Sequence, residues 1–150
     1  MRAIIQRVSH ASVKVDGKIT GEIQNGLLVL VGFEPEDTQV DYDWIAKKIL
    51  QLRIFNDENG VMNLNLDQVD GNLLVVSQFT LHASTKKGNR PSYILASKPD
   101  LAKAQYEDFL DRIQSDFHKP IQTGIFGADM KVELLNDGPV TILLDSKLKF

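Results

Sequence analysis

Hydrophobic and polar residues alternate along the first part of the chain, as they do in strands that have one buried face. Residues 11–15 follow this alternation, and the Asp-Gly pair at 16–17 is typical of a hairpin turn. A second turn signal, Asn-Gly at 25–26, precedes a continuous apolar run at 27–33. Such a run predicts a central strand buried on both faces. We therefore expect antiparallel strands in the first third of the chain.

Two later segments repeat their apolar residues at helical spacing instead. Thr38, with Asp41 three residues later, forms a capping-box pattern, and the apolar repeat that follows runs to Leu52. A second helix is expected between about Ser97 and Phe117. Its apolar face comprises Leu101, Tyr106, Phe109, Leu110, Ile113 and Phe117.

The remaining apolar stretches predict further strands. Residues 53–55 and 62–66 flank a turn-rich stretch and are typical of a hairpin, and residues 72–81 predict another buried strand. Two more apolar strands are expected on either side of the turn at 136–139. The pattern predicts one α+β domain over residues 1–150, rich in antiparallel or mixed strands, with two main helices.

Composition narrows the classes of function. The chain has no cysteine, which excludes disulfides, thiolate catalysis and cysteine-bound zinc. Its opening residues carry charges where a signal peptide needs a continuous apolar core, and no apolar run approaches the roughly 20 residues of a membrane span. We therefore expect a cytoplasmic protein with no membrane partner.

The charge balance bears on nucleic acid as a partner. The net charge is -3, from 17 basic and 20 acidic residues, whereas gripping a long nucleic-acid backbone requires many Lys or Arg contacts to phosphate. We expect no DNA partner, and any contact with RNA should be local.

Polar residues interrupt an apolar strand at Ser77, Gln78 and Thr80. Buried polar groups in such a position must be hydrogen-bonded or take part in function. A strand whose end emerges into solvent would show the same sequence pattern. The basic loop at 86–92 could hold phosphate, but composition alone favours an ordinary solvated loop. The turn at 136–139 could be a plain hairpin with a proline that breaks pairing.

The histidines give little support for a metal site. His10, His82 and His118 lack the spacing of paired metal ligands, so we expect neither metal nor cofactor. His82 lies two residues after Thr80 and is a conceivable base for a threonine nucleophile. No third group that would orient this histidine can be named from the sequence, so the idea stays a minor alternative.

Three segments together indicate a family. The SQFTL sequence at 77–81, the basic loop KKGNRPSY at 86–93 and the segment from 126 to 146 containing NDGPVT closely resemble the D-aminoacyl-tRNA deacylase family. The opening MRAIIQRV adds to a likeness that runs from Met1 to about Ser146. One departure is His82, where tyrosine is usual in related sequences.

The resemblance implies a homodimer of β-barrel-like α+β subunits, with two active sites at the interface and the acceptor end of aminoacyl-tRNA as partner. Gly138 and Pro139 match a Gly-cisPro motif that reaches into the partner's pocket and screens the chirality of the amino acid. The pocket for the terminal adenosine and the aminoacyl ester would be lined by Ser77, Gln78, Phe79 and Thr80.

A rigid filter suits the energetic requirement. Sparing the abundant L-aminoacyl-tRNA by a factor of about a thousand takes roughly 4 kcal/mol, whereas apolar fit supplies only about 1–3 kcal/mol per methylene. Rejection must therefore come from a clash with a rigid element, and a Gly-cisPro peptide would provide one. Since this filter acts on side chains, glycyl-tRNA is expected to be a substrate as well.

Two mechanisms remain open for ester cleavage. In one, the Thr80 hydroxyl attacks and forms an acyl-enzyme, which requires a base that the sequence does not clearly supply. In the other, which we prefer, backbone N–H groups around Phe79 and Thr80 stabilise the oxyanion while water attacks, helped by the ribose 2′-OH. The rival functions are a non-catalytic RNA-binding module, a small-ester hydrolase using Thr80 and His82, and a structural dimer without a ligand.

Overall fold

Strand β1 (Arg2–Val15) organises the sheet because it pairs along both of its edges. Along its first half it lies between β3 (Gly26–Gly32) and β8 (Lys131–Asp145), and along its second half between β2 (Lys18–Ile23) and β8. All three pairings are antiparallel. The expected antiparallel strands of the first third are thus confirmed.

The sheet then continues with parallel pairs and curls towards closure. Strand β3 pairs parallel with β6 (Asn72–Ser77), and β6 pairs parallel with β7 (Gln122–Thr123). The two ends of this order, β2 and β7, approach so closely that a Cβ on Gly21 would lie 2.4 Å from the carbonyl oxygen of Thr123. The result is the expected barrel-like mixed sheet.

The computed structural model describes residues 1–149. Its helices are α1 (Gln39–Gln51) and α2 (Pro99–Gln114), and a small hairpin consists of β4 (Phe55–Asn56) and β5 (Met62–Leu64). In the part of the chain described, neither helix is long and apolar enough to cross a membrane.

Both helices pack on the sheet around a shared apolar core. The ring of Phe109 on α2 lies 6.3 Å from those of Phe33 and Tyr42, centroid to centroid, and edge-on to both. Such edge-on pairs stabilise a core beyond the area that they bury. Other fully buried members of this core include Ile5, Leu27, Val29, Ile45, Ile49, Leu73 and Ile113.

The caps that the sequence predicted explain where the helices begin. Helix α1 starts at a capping box in which the Thr38 N–H donates to the Asp41 carboxylate over 2.9 Å. Helix α2 begins with Pro99 at its first position. It ends at Gln114, three residues before the predicted Phe117. The Phe117 side chain is buried although the residue lies in the following loop, and the Gln114 side-chain amide donates a hydrogen bond to the Phe117 backbone carbonyl.

One strand was predicted too long, and the two strands predicted around 136–139 are present but are not a hairpin. The strand predicted over 72–81 ends at Ser77, and a 3-10 turn (Phe79–His82) follows it. The strands predicted on either side of 136–139 do not form a hairpin with each other, because both pair with β1 as parts of the single strand β8. Apolar content alone distinguishes neither a turn from a strand end nor a bulge from a hairpin.

A part-buried ion pair links the start of α1 to the residues that follow β8. The Lys147 ammonium lies 2.8 Å from both Asp41 carboxylate oxygens. Burial raises the pKa of Asp41, but hydrogen bonds from Lys147 and Ser146 lower it more, so the pKa lies well below its usual value. The folded protein therefore favours the ionised carboxylate.

We expect Asp41→Asn to lower the free energy of unfolding by about 1–2 kcal/mol near neutral pH, because it removes the charge from a capping and ion-pairing position. The folded pKa of Asp41 is depressed, so the native advantage is present above the unfolded pKa of about 3.9 and is lost as the pH falls below it. Urea unfolding of both proteins across this range measures the difference. Asp129→Asn, which breaks an exposed ion pair, is the matched control, and a pH-independent difference for Asp41→Asn would contradict the assignment.

Candidate active site

An open, mainly apolar cavity lies where the parallel strands β3 and β6 end. Its volume is about 830 Å³. Ligands commonly bind at the carboxyl ends of parallel strands, because the loops that leave those strands diverge there. The cavity is lined by Val31, Gly32, Phe33, Val76, Ser77, Gln78, Phe79, Tyr93, Ile94, Ala96, Ser97, Lys98, Pro99, Ala102, residues 126–130 and Val132.

Three of the four predicted pocket residues, Ser77, Gln78 and Phe79, line this cavity, and Thr80 lies next to its wall. The N–H of Gln78 donates to the Val31 carbonyl over 2.7 Å, which fixes the chain as it leaves β6. The Gln78 side-chain amide then donates to the Thr80 hydroxyl over 2.6 Å. The polar residues of this segment are therefore partly paired with one another at the edge of an apolar cavity.

The 3-10 turn leaves two backbone donors free. The first hydrogen bond of this turn runs from the Leu81 N–H to the Gln78 carbonyl. Phe79 and Thr80 come before Leu81 in the chain, so their N–H groups take no part in the hydrogen bonds of the turn. Within residues 1–149 neither group has a backbone acceptor outside the turn. Unpaired N–H groups at the start of a helical turn favour negative charge.

Gly32 allows this turn to pack directly against the end of β3. A Cβ at Gly32 would lie 2.7 Å from the Gln78 carbonyl oxygen and 3.2 Å from the Leu81 Cβ. Real Cβ atoms essentially never approach a backbone atom that closely. Any side chain at this position would displace the turn that carries Phe79 and Thr80.

His82 supports the same turn from its buried side. The imidazole is fully buried, and its Nδ1 lies 2.9 Å from a carboxylate oxygen of Glu34. Nδ1 thus faces Glu34, and among the described residues neither ring nitrogen is hydrogen-bonded to Thr80. The structure does not bring His82 and Thr80 together as a base and a nucleophile.

The basic loop stands on the rim of the cavity. Its two ends are joined by a pair of backbone hydrogen bonds of 2.8 and 2.9 Å between Ser84 and Ser92. The half-exposed rings of Phe79 and Tyr93 meet edge-on at 5.0 Å, which ties the end of the loop to the 3-10 turn. The loop and the polar segment are thus neighbours in space as well as in sequence.

Gly138 and Pro139 lie in a bulge of β8. The residues of β1 on either side of Arg7 pair with Thr141 and Asn136, so residues 137–140 lie opposite Arg7 alone. The Gly138-Pro139 peptide bond is cis, as the resemblance implied. Both residues are exposed, and neither lines the cavity of its own chain.

Arg7 holds this bulge from behind, and the sequence analysis missed it. Its guanidinium is buried and donates to the backbone carbonyls of Asp137 and Ile54 over 3.0 and 2.6 Å. The signal was present, because Arg7 follows Ala3 and Ile5 at the spacing of inward-facing residues. A charge at such a position must have partners inside the fold.

Comparison with known proteins gives this site its context. The sequence matches the family described as D-Tyr-tRNA(Tyr) deacylase over residues 4–145. It is 67% identical over 147 residues to the D-aminoacyl-tRNA deacylase of Flavobacterium johnsoniae, covering 98% of each chain. It is 62% identical over 149 residues to that of Parabacteroides distasonis, covering 99% of each.

Solved structures share the fold. A c-Myc DNA Unwinding Element Binding Protein is 41% identical, with a TM-score of 0.92 over 97% of this chain and 98% of the other. A probable eukaryotic D-amino acid tRNA deacylase is 15% identical, with a TM-score of 0.79 over 95% and 97%, and shows the fold alone. The fold and the sequence matches define an ester hydrolase that acts on aminoacyl-tRNA. The chain belongs to the D-Tyr-tRNA(Tyr) deacylase family.

We expect Gly32→Ala to reduce the deacylation rate at least tenfold, because the added Cβ displaces the 3-10 turn from the cavity wall. Initial rates on D-Tyr-tRNA at saturating substrate measure the loss. Gly60→Ala is the control, since it strains a glycine with a φ of +75° that meets nothing within 4 Å. The control should lose about 1 kcal/mol of stability and keep its rate. An equal loss of rate in both variants would trace the effect to stability.

Proposed function

We propose that this chain is a D-aminoacyl-tRNA deacylase, which removes D-amino acids from tRNA and so proofreads the chirality of translation substrates. The family match and the relatives' names support this activity. The observation that carries the proposal is the 3-10 turn, which presents the free N–H groups of Phe79 and Thr80 beside an apolar cavity. Such donors suit the oxyanion of ester hydrolysis.

The reaction needs only water and the ester. Water adds to the carbonyl carbon, and the negative charge that develops on the carbonyl oxygen is stabilised by the N–H groups of Phe79 and Thr80. Collapse breaks the bond to the ribose 3′-oxygen, which takes a proton, and the adjacent 2′-OH relays protons between water and the leaving oxygen. The products are free tRNA and the amino acid.

Thr80 is better suited to positioning than to attack. Its hydroxyl oxygen already accepts a hydrogen bond from Gln78, and in residues 1–149 no histidine or carboxylate is hydrogen-bonded to it. A threonine without a neighbouring base remains a weak nucleophile. Ser77, Gln78 and Phe79 would hold the terminal adenosine and the ester from the cavity wall.

Selection against L-amino acids is assigned to Gly138 and Pro139 of a second copy of the chain. Both residues are exposed on β8 and lie outside their own cavity, which suits a role at another subunit's pocket. The buried Arg7 guanidinium fixes the bulge from its inner side. A homodimer of this kind would complete each site with a rigid element from its partner.

In the first test, purified protein in catalytic amounts is given D-Tyr-tRNA, L-Tyr-tRNA and Gly-tRNA separately. We expect rapid loss of the D-tyrosyl and glycyl esters and sparing of the L-tyrosyl ester by about a thousandfold, which corresponds to roughly 4 kcal/mol. Pro139→Ala should reduce this preference at least tenfold, because the variant loosens the element against which an L side chain clashes.

The controls separate the parts of the proposal. Pro35→Ala changes an exposed proline on the loop before α1 that does not line the cavity, and should leave selectivity intact. Binding of tRNA without turnover of any ester would favour the non-catalytic RNA-binding module. An intact Gly-tRNA beside cleaved D-Tyr-tRNA would remove the glycine activity alone.

Thr80→Ala decides between the two mechanisms. If water attacks and the backbone N–H groups carry the stabilisation, the variant keeps its rate on D-Tyr-tRNA within about tenfold, because alanine retains the N–H. Thr80→Ser is the conservative control. Single-turnover rates measure chemistry without product release. Loss of nearly all activity in the alanine variant, together with a trapped acyl adduct on native Thr80, would establish the nucleophilic route instead.

A further inference from the structure

The loop on the rim of the cavity concentrates positive charge that the proposed chemistry does not use. Lys86, Lys87 and Arg90 are exposed, and among the described residues none of them has a carboxylate within 4 Å. The chain as a whole has a net charge of -3. The loop is therefore locally positive, whereas the rest of the chain is acidic.

The loop is held firmly at its base and open at its tip. The backbone hydrogen bonds between Ser84 and Ser92 close the base, and the Phe79–Tyr93 ring contact fixes the base against the 3-10 turn. At the tip, Gly88 has a φ of +75° and open space around its Cα, so the backbone there can face a ligand closely. The charges are thus carried at a fixed place beside the candidate active site.

A further cation stands where α2 begins. Lys98 lines the cavity next to the first turn of that helix and, within residues 1–149, has no ion-pair partner. The acidic residue of the cavity wall, Asp129, is paired with Lys131 at 2.9 Å. Positive charge consequently flanks the cavity mouth, and the nearest wall carboxylate is already paired.

We propose that the loop at 85–91, together with Lys98, binds the backbone phosphates of the last nucleotides at the 3′ end of the tRNA. This inference rests on the proposed function, which places the terminal ester in the cavity. From Ser84 to Gly88 the extended chain spans at most about 14 Å, so the cations reach phosphates within a few nucleotides of the ester. The contacts are few and local, which is how an acidic protein binds RNA without gripping a long backbone.

The test compares two double variants with the same loss of charge. Lys86→Gln with Lys87→Gln removes the loop lysines. Lys47→Gln with Lys48→Gln removes a second exposed pair from α1, a helix that lines no part of the cavity. The concentration of D-Tyr-tRNA that gives half the maximal rate is measured at several salt concentrations. Each protein is also assayed on D-tyrosyl adenosine, an ester with no phosphate.

We expect the loop variant to bind D-Tyr-tRNA roughly tenfold more weakly at low salt and to lose about one unit of logarithmic salt slope per phosphate contact. Its rate on D-tyrosyl adenosine should equal that of the native protein, and the α1 variant should match the native protein on both substrates. Arg90→Gln should repeat the loop effect at a smaller size.

Three outcomes would overturn the proposal. An equal loss on both substrates would mean that the loop shapes the cavity, an unchanged half-saturation would mean that it binds no phosphate, and an equal loss in the α1 variant would mean a general effect of charge. Binding of a single-stranded RNA oligonucleotide is measured in parallel. If the native protein cleaves neither ester, the proposed function fails, while the oligonucleotide still shows whether the loop binds the RNA backbone.

Discussion

The pairing of β1 along both edges is the constraint on which the rest of the molecule depends. Side chains alternate along a strand, so a slip of one residue against β3 or β8 would turn Ala3 and Ile5 out of the core and turn their polar neighbours in. The same register fixes where β3 ends, and hence where Gly32 admits the 3-10 turn. The candidate active site is in this sense a consequence of the register of β1.

Arg7 extends that constraint to the opposite edge of the sheet. A buried guanidinium costs free energy unless its donors are satisfied, and here the acceptors are the carbonyls of Asp137 and Ile54. Gly138 packs against it with a φ of +129°, a conformation that favours glycine, and a Cβ there would lie 2.8 Å from the guanidinium. Arg7 therefore links β1 to Ile54, just before the β4–β5 hairpin, and to the bulge that carries Pro139.

The sequence was most informative where a local pattern determines a local structure. The capping box at Thr38 and the apolar run at 27–33 predicted α1 and β3 nearly to the residue. The sequence failed at Ser77 and at 136–139, where the outcome depends on a distant strand. The 3-10 turn that follows β6 packs against Gly32 at the end of β3, and the bulge of β8 lies opposite Arg7 of β1. The pocket residues came from a family resemblance, whereas Gly32 was not foreseen, because its close contact exists only after folding.

Catalysis and selection pose different physical requirements, and the proposed function assigns them to separate elements of the fold. Oxyanion stabilisation requires donors that are fixed before the substrate arrives, and in the proposed mechanism these are the N–H groups of the turn that packs on Gly32 within one chain. Rejection of an L side chain requires a rigid wall on the other side of the substrate. Pro139 does not line the cavity of its own chain, so it cannot be that wall within one subunit. In the proposed dimer the wall comes from a second copy, and its rigidity derives from β8 and Arg7 rather than from the catalytic turn. A change that softens one element then leaves the other in place, so rate and selectivity are separable by mutation.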